Sequence, residues 1–437
     1  MLKLKVICLI YLLLSYIRII NVKIKTDKFV NVKKLHFWFN CIFYVKCNIM
    51  LLRCDKMLTN IILKEYTTFI KETVFDFRAT NYKILEETNV GDNRILKGAL
   101  FVGENASGKT QVLESIILLL NILLDNVEPE FIMKKSMYTK GIKYNLTYIF
   151  NVENNIIKYY IEFEGNTIKC KELYVNDNLK LKRNGKNGKT YFNEEKENND
   201  INSSLSLLKL EYYNTRLNND VILNKWFDFL KNSLYMNCMM GNRLVKSYNT
   251  ARISEQFIEK YAEVNDASKL NDFIKKIGYN SEIVFNKNSN GIAINSQIIG
   301  VRKNDTKIVM PLQLESTGNK VFINLILPFI YATENDCMII IDNFSSGLHN
   351  ELEEALIKYF FNNSKNSQIF FTSHSTNLLD TTILRPDQIY SFSFDSKDGT
   401  KIKRFSDESP RESQNIEKMY LNGVFDGMPK YNKEFRN

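Results

Sequence analysis

Eight consecutive residues, Gly103-Glu104-Asn105-Ala106-Ser107-Gly108-Lys109-Thr110, have the types and spacing that can hold a polyphosphate. They fit G-x-x-x-x-G-K-[ST], the phosphate-loop pattern. The glycines let the backbone turn tightly enough for its N–H groups to face inward onto phosphate oxygens. Lys109 is placed to reach the β- and γ-phosphates, and the Thr110 hydroxyl is a hard oxygen ligand of the kind Mg²⁺ takes. Ala99-Leu100-Phe101-Val102 reads as a short buried strand before the loop, and Gln111 to Leu124 as an apolar helix after it. The helix N-terminus adds partial positive charge at the same point. ATP and Mg²⁺ are the expected cofactors.

Three further stretches could complete such a site. Cys337-Met338-Ile339-Ile340-Ile341-Asp342 is a buried strand ending in an acid, the Walker B pattern. Such an Asp accepts hydrogen bonds from Mg²⁺-bound water. Leu314-Glu315-Ser316-Thr317-Gly318-Asn319-Lys320 opens an apolar helix, Val321 to Tyr331, and a Ser and a Gly at a helix N-terminus make a second anion site. Gln368-Ile369-Phe370-Phe371-Thr372-Ser373-His374 reads as a strand ending in histidine.

In this order the motifs resemble the ABC-type ATPases of the SMC, RecF and OLD group: phosphate loop, Ser-x-Gly signature, Walker B, switch histidine. The surrounding wording is most similar to prokaryotic AAA-family ATPases that include abortive-infection and other antiphage-defence proteins. That likeness is carried by Asn343-Phe344-Ser345-Ser346-Gly347-Leu348-His349 and by Thr372-Ser373-His374-Ser375-Thr376-Asn377-Leu378-Leu379-Asp380. Lys171-Glu172-Leu173-Tyr174-Val175 and Ile416-Glu417-Lys418-Met419-Tyr420-Leu421-Asn422-Gly423 add to it, so that it spans about residues 57–430.

The resemblance implies an α/β fold, a P-loop NTPase of ABC-ATPase type with a β-meander and a helical insertion between Walker A and the signature. It also implies a head-to-tail homodimer. Each ATP would lie between one subunit's Gly103 to Thr110 and the other's Ser316 and Gly318, so that binding closes the dimer and hydrolysis releases it. Thr110 and Asp342 would hold the metal, and Lys109 and His374 would contact the phosphates. Ser345 to His349 would lie at the dimer seam, with His349 structural rather than catalytic. One residue departs from the family pattern: Asn343 stands where a Glu usually follows the Walker B Asp. An amide orients water but accepts no proton near neutral pH. The expectation is therefore tight ATP·Mg²⁺ binding with slow turnover, unless Glu315 or Glu351 substitutes.

The elements that position these residues begin at Met57. Ile61-Ile62-Leu63 and Val74-Phe75-Asp76-Phe77 read as strands, and residues 142–192 as a β-meander turning at Glu153-Asn154-Asn155 and Glu164-Gly165-Asn166. Its aromatic residues fit a packed sheet face better than a base-stacking platform. Residues 183–204 read as a solvated loop, and helices are predicted over Asp220 to Met236 and Ile253 to Ile277. Leu223, Trp226, Phe227 and Leu230 share one helical face. The expected division is an extension 1–56, a first part of the ATPase core 57–130, an inserted region 131–300 and a second part of the core 301–437.

The 437 residues carry +10, but residues 1–56 alone hold nine Lys and two Arg against two Asp, leaving about +1 for the rest. Net charge thus gives no support to a nucleic-acid partner, although a local basic groove stays open. Seven scattered cysteines without C-x-x-C spacing, and only three histidines, point to a reduced, cytoplasmic protein without a zinc site. Residues 1–56 contain no Gly, Pro, Glu or Gln. They read as a membrane-associating segment, a small extra domain or, in the preferred reading, translated sequence upstream of a start at Met57. No nuclease motif is visible, so effector activity would come from a separate toxin or nuclease partner. The leading expectation is an ATP-gated switch in a defence system. The alternative, a DNA-repair or chromosome-associated ATPase, would call for a long coiled coil, and neither helical pattern is long enough. A transporter ATPase and a vestigial site rank lower.

Overall fold

The computed structural model describes Lys56 to Met428, apart from 126–137, 139–140, 166, 193, 203–205, 215–216, 218, 240–244, 248–266, 280, 288–292, 304–305, 312–313 and 315. The readings of residues 1–55 and of Glu315 lie outside the described residues. So does most of the helix predicted from Ile253.

Strands β1 (Lys56–Lys64) and β2 (Thr73–Asp76) form an antiparallel hairpin. Strand β3 (Gly98–Gly103) leads into the phosphate loop, and helix α1 (Lys109–Leu124) leaves it. The meander follows as β4 (Lys143–Val152), β5 (Asn155–Glu164), β6 (Thr167–Val175), β7 (Asn178–Asn184), β8 (Asn187–Tyr191) and β9 (Glu195–Asn198). β1 pairs with β4, so one eight-stranded antiparallel sheet, β2-β1-β4-β5-β6-β7-β8-β9, draws strands from both sides of residue 130. The stretch 183–204 is therefore not a solvated loop as expected. Its polar residues sit on the outer face of β8 and β9, where Lys189 pairs with Glu195 and Glu197, while Thr190 is buried.

Helices α2 (Leu207–Tyr213) and α3 (Val221–Lys231) come next. Asp220 caps α3 by accepting from the Leu223 N–H, and Leu223, Trp226, Phe227 and Leu230 are all buried on its apolar face. The helical reading to Met236 is corrected here. The helix stops at Lys231, and Leu234–Asn237 is strand β10, which runs parallel to the Walker B strand. After β11 (Val245–Ser247) and helix α4 (Ser268–Lys276), strands β12 (Ser281–Lys287), β13 (Ala293–Lys303) and β14 (Thr306–Pro311) make a small antiparallel sheet.

Helix α5 (Thr317–Glu334), strand β15 (Met338–Asp342), helix α6 (Asn350–Asn363) and strand β16 (Gln368–Thr372) complete the centre. Strands β17 (Ile389–Asp395) and β18 (Gly399–Arg404) and helix α7 (Ile416–Leu421) follow. The second sheet runs β11-β10-β15-β16-β3-β17-β18, parallel from β10 to β17. Its central strands β3, β15 and β16 are buried on both faces, as a sheet covered on both sides requires. Ala99, Phe101, Met338 and Ile340 join the core shared with α1, α3 and the antiparallel sheet. Leu100, Val102, Ile339 and Ile341 join the core under α5 and α6. The parallel strands β3, β10, β15 and β16 therefore end side by side at one edge of the sheet. Open α/β sheets bind ligands at such carboxyl ends.

Candidate nucleotide-binding site

At that edge Gly103 ends β3, Asn237 ends β10, Asp342 ends β15 and Thr372 ends β16. The loop between β3 and α1 needs its glycines. A Cβ on Gly103, at φ 142°, would lie 2.3 Å from the Phe392 carbonyl oxygen. One on Gly108, at φ 106°, would lie 2.6 Å from Thr400 Oγ1 and 2.9 Å from Thr68 Oγ1. The loop is braced from outside. The Thr400 hydroxyl donates to the Ser107 carbonyl at 2.8 Å, the Phe394 N–H to Glu104 Oε1 at 3.0 Å, and the Thr67 and Thr68 hydroxyls to Gln111 Oε1 at 2.6 and 2.5 Å. Ser107 is buried and donates to the Glu104 carbonyl, whereas Asn105 and Ala106 at the tip are exposed.

The Lys109 ammonium reaches back to the carbonyls of Gly103 at 2.9 Å and Glu104 at 2.6 Å. Burial pulls its pKa down to about 8, against the opposing pull of Asp342 and Glu104. An ammonium held by carbonyl dipoles alone has most to gain from an anion. Thr110 Oγ1 donates to Asp342 Oδ1 at 3.0 Å, so the two residues expected to hold Mg²⁺ are already in contact. They form a hard oxygen pair that suits that ion.

Two residues the motifs did not single out complete the wiring. Thr372 Oγ1 donates to Asp342 Oδ1 at 2.6 Å and accepts from the Asn343 N–H at 2.8 Å. Asn237 Nδ2 lies 3.4 Å from Asp342 Oδ2. Asn343 sits at φ 56°, in the left-handed region that Asn tolerates better than Glu. The residue that departs from the family pattern is thus suited to its backbone. His374 lies beyond the end of its strand, which stops at Thr372 rather than running to the histidine. Burial, then the Lys109 charge, lowers its pKa against the pull of Asp342, which puts it among these groups. Its N–H donates to Ser345 Oγ at 3.2 Å.

Ser316 and Gly318 are not part of this cluster. Ser316 is exposed and caps α5 by accepting from the Asn319 N–H at 3.2 Å. A Cβ on Gly318 would lie 2.4 Å from the Gly347 carbonyl oxygen, so α5 starts hard against the loop that follows β15. His349 caps α6, its Nδ1 accepting from the Glu351 N–H. Glu351 is exposed on the first turn of α6. Among the described residues, no group of acids, Cys and His is arranged to hold a metal by itself. None of the described helices is long and apolar enough to cross a membrane.

Residues 99–380 match the model of the family described as "AAA domain, putative AbiEii toxin, Type IV TA system". No curated protein matches the chain. Among solved structures it is similar to the SMC head domain from Thermotoga maritima, at 14% identity and TM-score 0.44 over 79% of this chain and 97% of that one. It is also similar to an SMC head bound to the C-winged helix domain of ScpA, at 12% identity and TM-score 0.46 over 79% and 96%. A third is an SMC head with an extended coiled coil, bound to the C-terminal domain of ScpA derived from Pyrococcus furiosus, at 12% identity and TM-score 0.43 over 79% and 96%.

Proposed function

We propose a function from one premise: the chain belongs to the AAA-domain ATPase family of the AbiEii type. It is an ATP-gated dimerisation switch of a prokaryotic antiphage or abortive-infection system, acting on a separate effector. One contrast carries the reading. Lys109, Thr110, Asp342 and Thr372 are joined within one chain, whereas Ser316 stands exposed at the N-terminus of an 18-residue helix. The first group is a phosphate and metal site, and the second is an anion-binding end that a second subunit would bring over it.

The loop N–H groups and the Lys109 ammonium bind and orient the phosphates. Thr110 and Asp342 would hold the metal, with Thr372 and Asn237 fixing how the Asp342 carboxylate points. Mg²⁺·ATP, when bound, supplies the phosphoryl group and a metal that neutralises its developing charge. Asn343 orients water but takes no proton from it, so turnover is slow and bound nucleotide acts mainly as a clamp. His374, kept neutral near pH 7, offers a hydrogen bond rather than a charge. Its backbone link to Ser345 connects the site to Gly347, and the Gly347–Gly318 contact carries that link to the signature surface.

Light scattering on the full chain tests the switch. Saturating ATP·Mg²⁺ should double the mass. Ser316→Asp keeps the helix cap but sets a carboxylate against the partner's nucleotide, and should stay monomeric with nucleotide binding intact. A wild type that remains monomeric in ATP·Mg²⁺ sinks the reading. In cells, Lys109→Ala should abolish phage protection.

A further inference from the structure

We propose that Glu417, on the C-terminal helix α7, is a positioning residue for His374: it fixes the course of the segment that carries the histidine. The assignment rests on the proposed function, in which His374 meets the phosphates of the bound nucleotide. Strand β16 stops at Thr372, so residues 373–377, the switch segment, leave the sheet ladder and take their course from side-chain ties. The Ser375 N–H donates to Ser373 Oγ at 2.9 Å, and Asn377 Nδ2 to the Asn350 carbonyl at 3.2 Å. Between them the Thr376 hydroxyl donates to Glu417 Oε1 at 2.6 Å. A hydroxyl on a carboxylate at that distance is one of the stronger hydrogen bonds a protein makes. It acts two residues from His374.

Helix α7 can hold the segment because it is anchored by other residues. Ile416, Tyr420 and Phe425 are buried. The Phe405 ring stacks on Phe425 at 3.8 Å between centroids and lies 5.8 Å from Tyr420. The Tyr420 hydroxyl donates to the Gly427 carbonyl at 3.2 Å, and the Ser391 hydroxyl to the Phe425 carbonyl. Gly427, at φ 72°, presses on β17: a Cβ there would lie 2.9 Å from the Phe392 carbonyl oxygen. That oxygen is the one that crowds Gly103, the first residue of the phosphate loop. The C-terminal segment is thus fastened to the strand beside the phosphate loop at one point and to the switch segment at another. Glu417 is only half-buried, so replacing its carboxylate leaves α7 seated by Ile416 and Tyr420. What is lost is the tie to Thr376. This gives the stretch from Ile416 to Gly423, which supplies none of the nucleotide motifs, a part in the site.

The test uses the chain's three histidines as probes. In the full chain grown with isotope-labelled histidine, the His374 ring signal is identified by its loss in His374→Asn. ATP·Mg²⁺ should shift that signal in the wild type. In Glu417→Leu and in Thr376→Val the shift should shrink at least about twofold, while the His349 signal stays as in the wild type. ATP affinity should stay within about twofold, and turnover of bound ATP should fall by about tenfold. Glu417→Gln and Thr376→Ser, which keep the acceptor and the donor, should restore the shift. The double variant Glu417→Leu/Thr376→Val should do no more than either single change, since both remove the same bond. A Glu417→Leu protein whose His374 signal responds as the wild type's does overturns the assignment, and so does a Glu417→Gln protein that behaves like Glu417→Leu. If Glu417→Leu fails to fold, Thr376→Val and Thr376→Ser decide the matter from the other end of the bond. A wild type that binds ATP·Mg²⁺ and leaves the His374 signal unmoved overturns the roles of His374 and Glu417 together, with dimerisation judged separately by light scattering. A wild type that binds no ATP·Mg²⁺ sinks the proposed function and this assignment with it.

Discussion

The two proposed anion-binding ends of this chain are built differently. At the phosphate loop the polar side chains are braced by distant parts of the chain: Thr110 and Thr372 meet on Asp342, Thr400 holds Ser107, and Thr68 holds Gln111. At the signature the exposed Ser316 caps the end of its own helix. The first end is pre-organised by the chain itself. The second presents the N-terminus of its helix at an exposed Ser316. The largest test of this contrast is Lys109→Ala. It removes the Lys109 cation from the braced end and should abolish measurable nucleotide binding, a loss of more than about a hundredfold by analogy with other buried charge-assisted contacts, while the exposed end is untouched. Retained ATP affinity in an equilibrium titration would mean that the braced end is not the primary site.

A second test asks whether the braced end is tuned for holding or for turnover. Asn343→Glu introduces a proton acceptor, worth a factor of about a hundred or more when well placed. It also forces Glu into a left-handed backbone, at a cost of about 1 kcal/mol. The net expectation is a steady-state ATPase rate about tenfold above the wild type, with lower stability. Equal and robust rates in both proteins would show that another group already takes the proton.

The third test sharpens the role of Thr372, which acts through Asp342 and the Asn343 N–H. Thr372→Val leaves both without their shared partner and should weaken Mg²⁺·ATP binding by about tenfold, with little change for nucleotide in the absence of Mg²⁺. Thr372→Ser restores the hydroxyl and should restore the affinity. A Val variant that loses affinity equally with and without Mg²⁺ would reduce Thr372 to packing.

Much of the braced end was legible in the sequence because its signals are local. Gly103 to Thr110 is contiguous, and the short apolar run before Asp342 reads as a buried strand. The parts that were missed depend on distant partners. Asn237 meets Asp342 across 105 residues, and its strand was hidden because Leu230 and Leu234 continue the helical spacing of α3. Thr372 was in plain view beside His374, but only the fold shows that its hydroxyl points at Asp342. β8 and β9 were hidden by composition, since their outer faces are charged. The join of β1 to β4 was hidden by the stretch of chain that separates them.

The smallest expected effect concerns Glu353, buried on α6 beside the switch segment. It is buried at 1% exposure, with Oε2 lacking any hydrogen-bond partner. Burial lifts its pKa to about 7, and neighbouring Glu354 adds to the rise, while a hydrogen bond from Ser375 in the switch segment works against it. The unfolded chain would release this proton near the ordinary Glu value of about 4.3. Stability from the neutral carboxyl is therefore complete at low pH and is lost as pH climbs from there through about 7, by an amount on the order of 1–3 kcal/mol. Glu353→Gln keeps the shape and removes the ionisation. Its thermal midpoint should match the wild type near pH 5 and exceed it by a few degrees near pH 8. Midpoints that run parallel across that range would mean that Glu353 ionises freely, and that α6 is open to solvent at the point where it meets the switch segment.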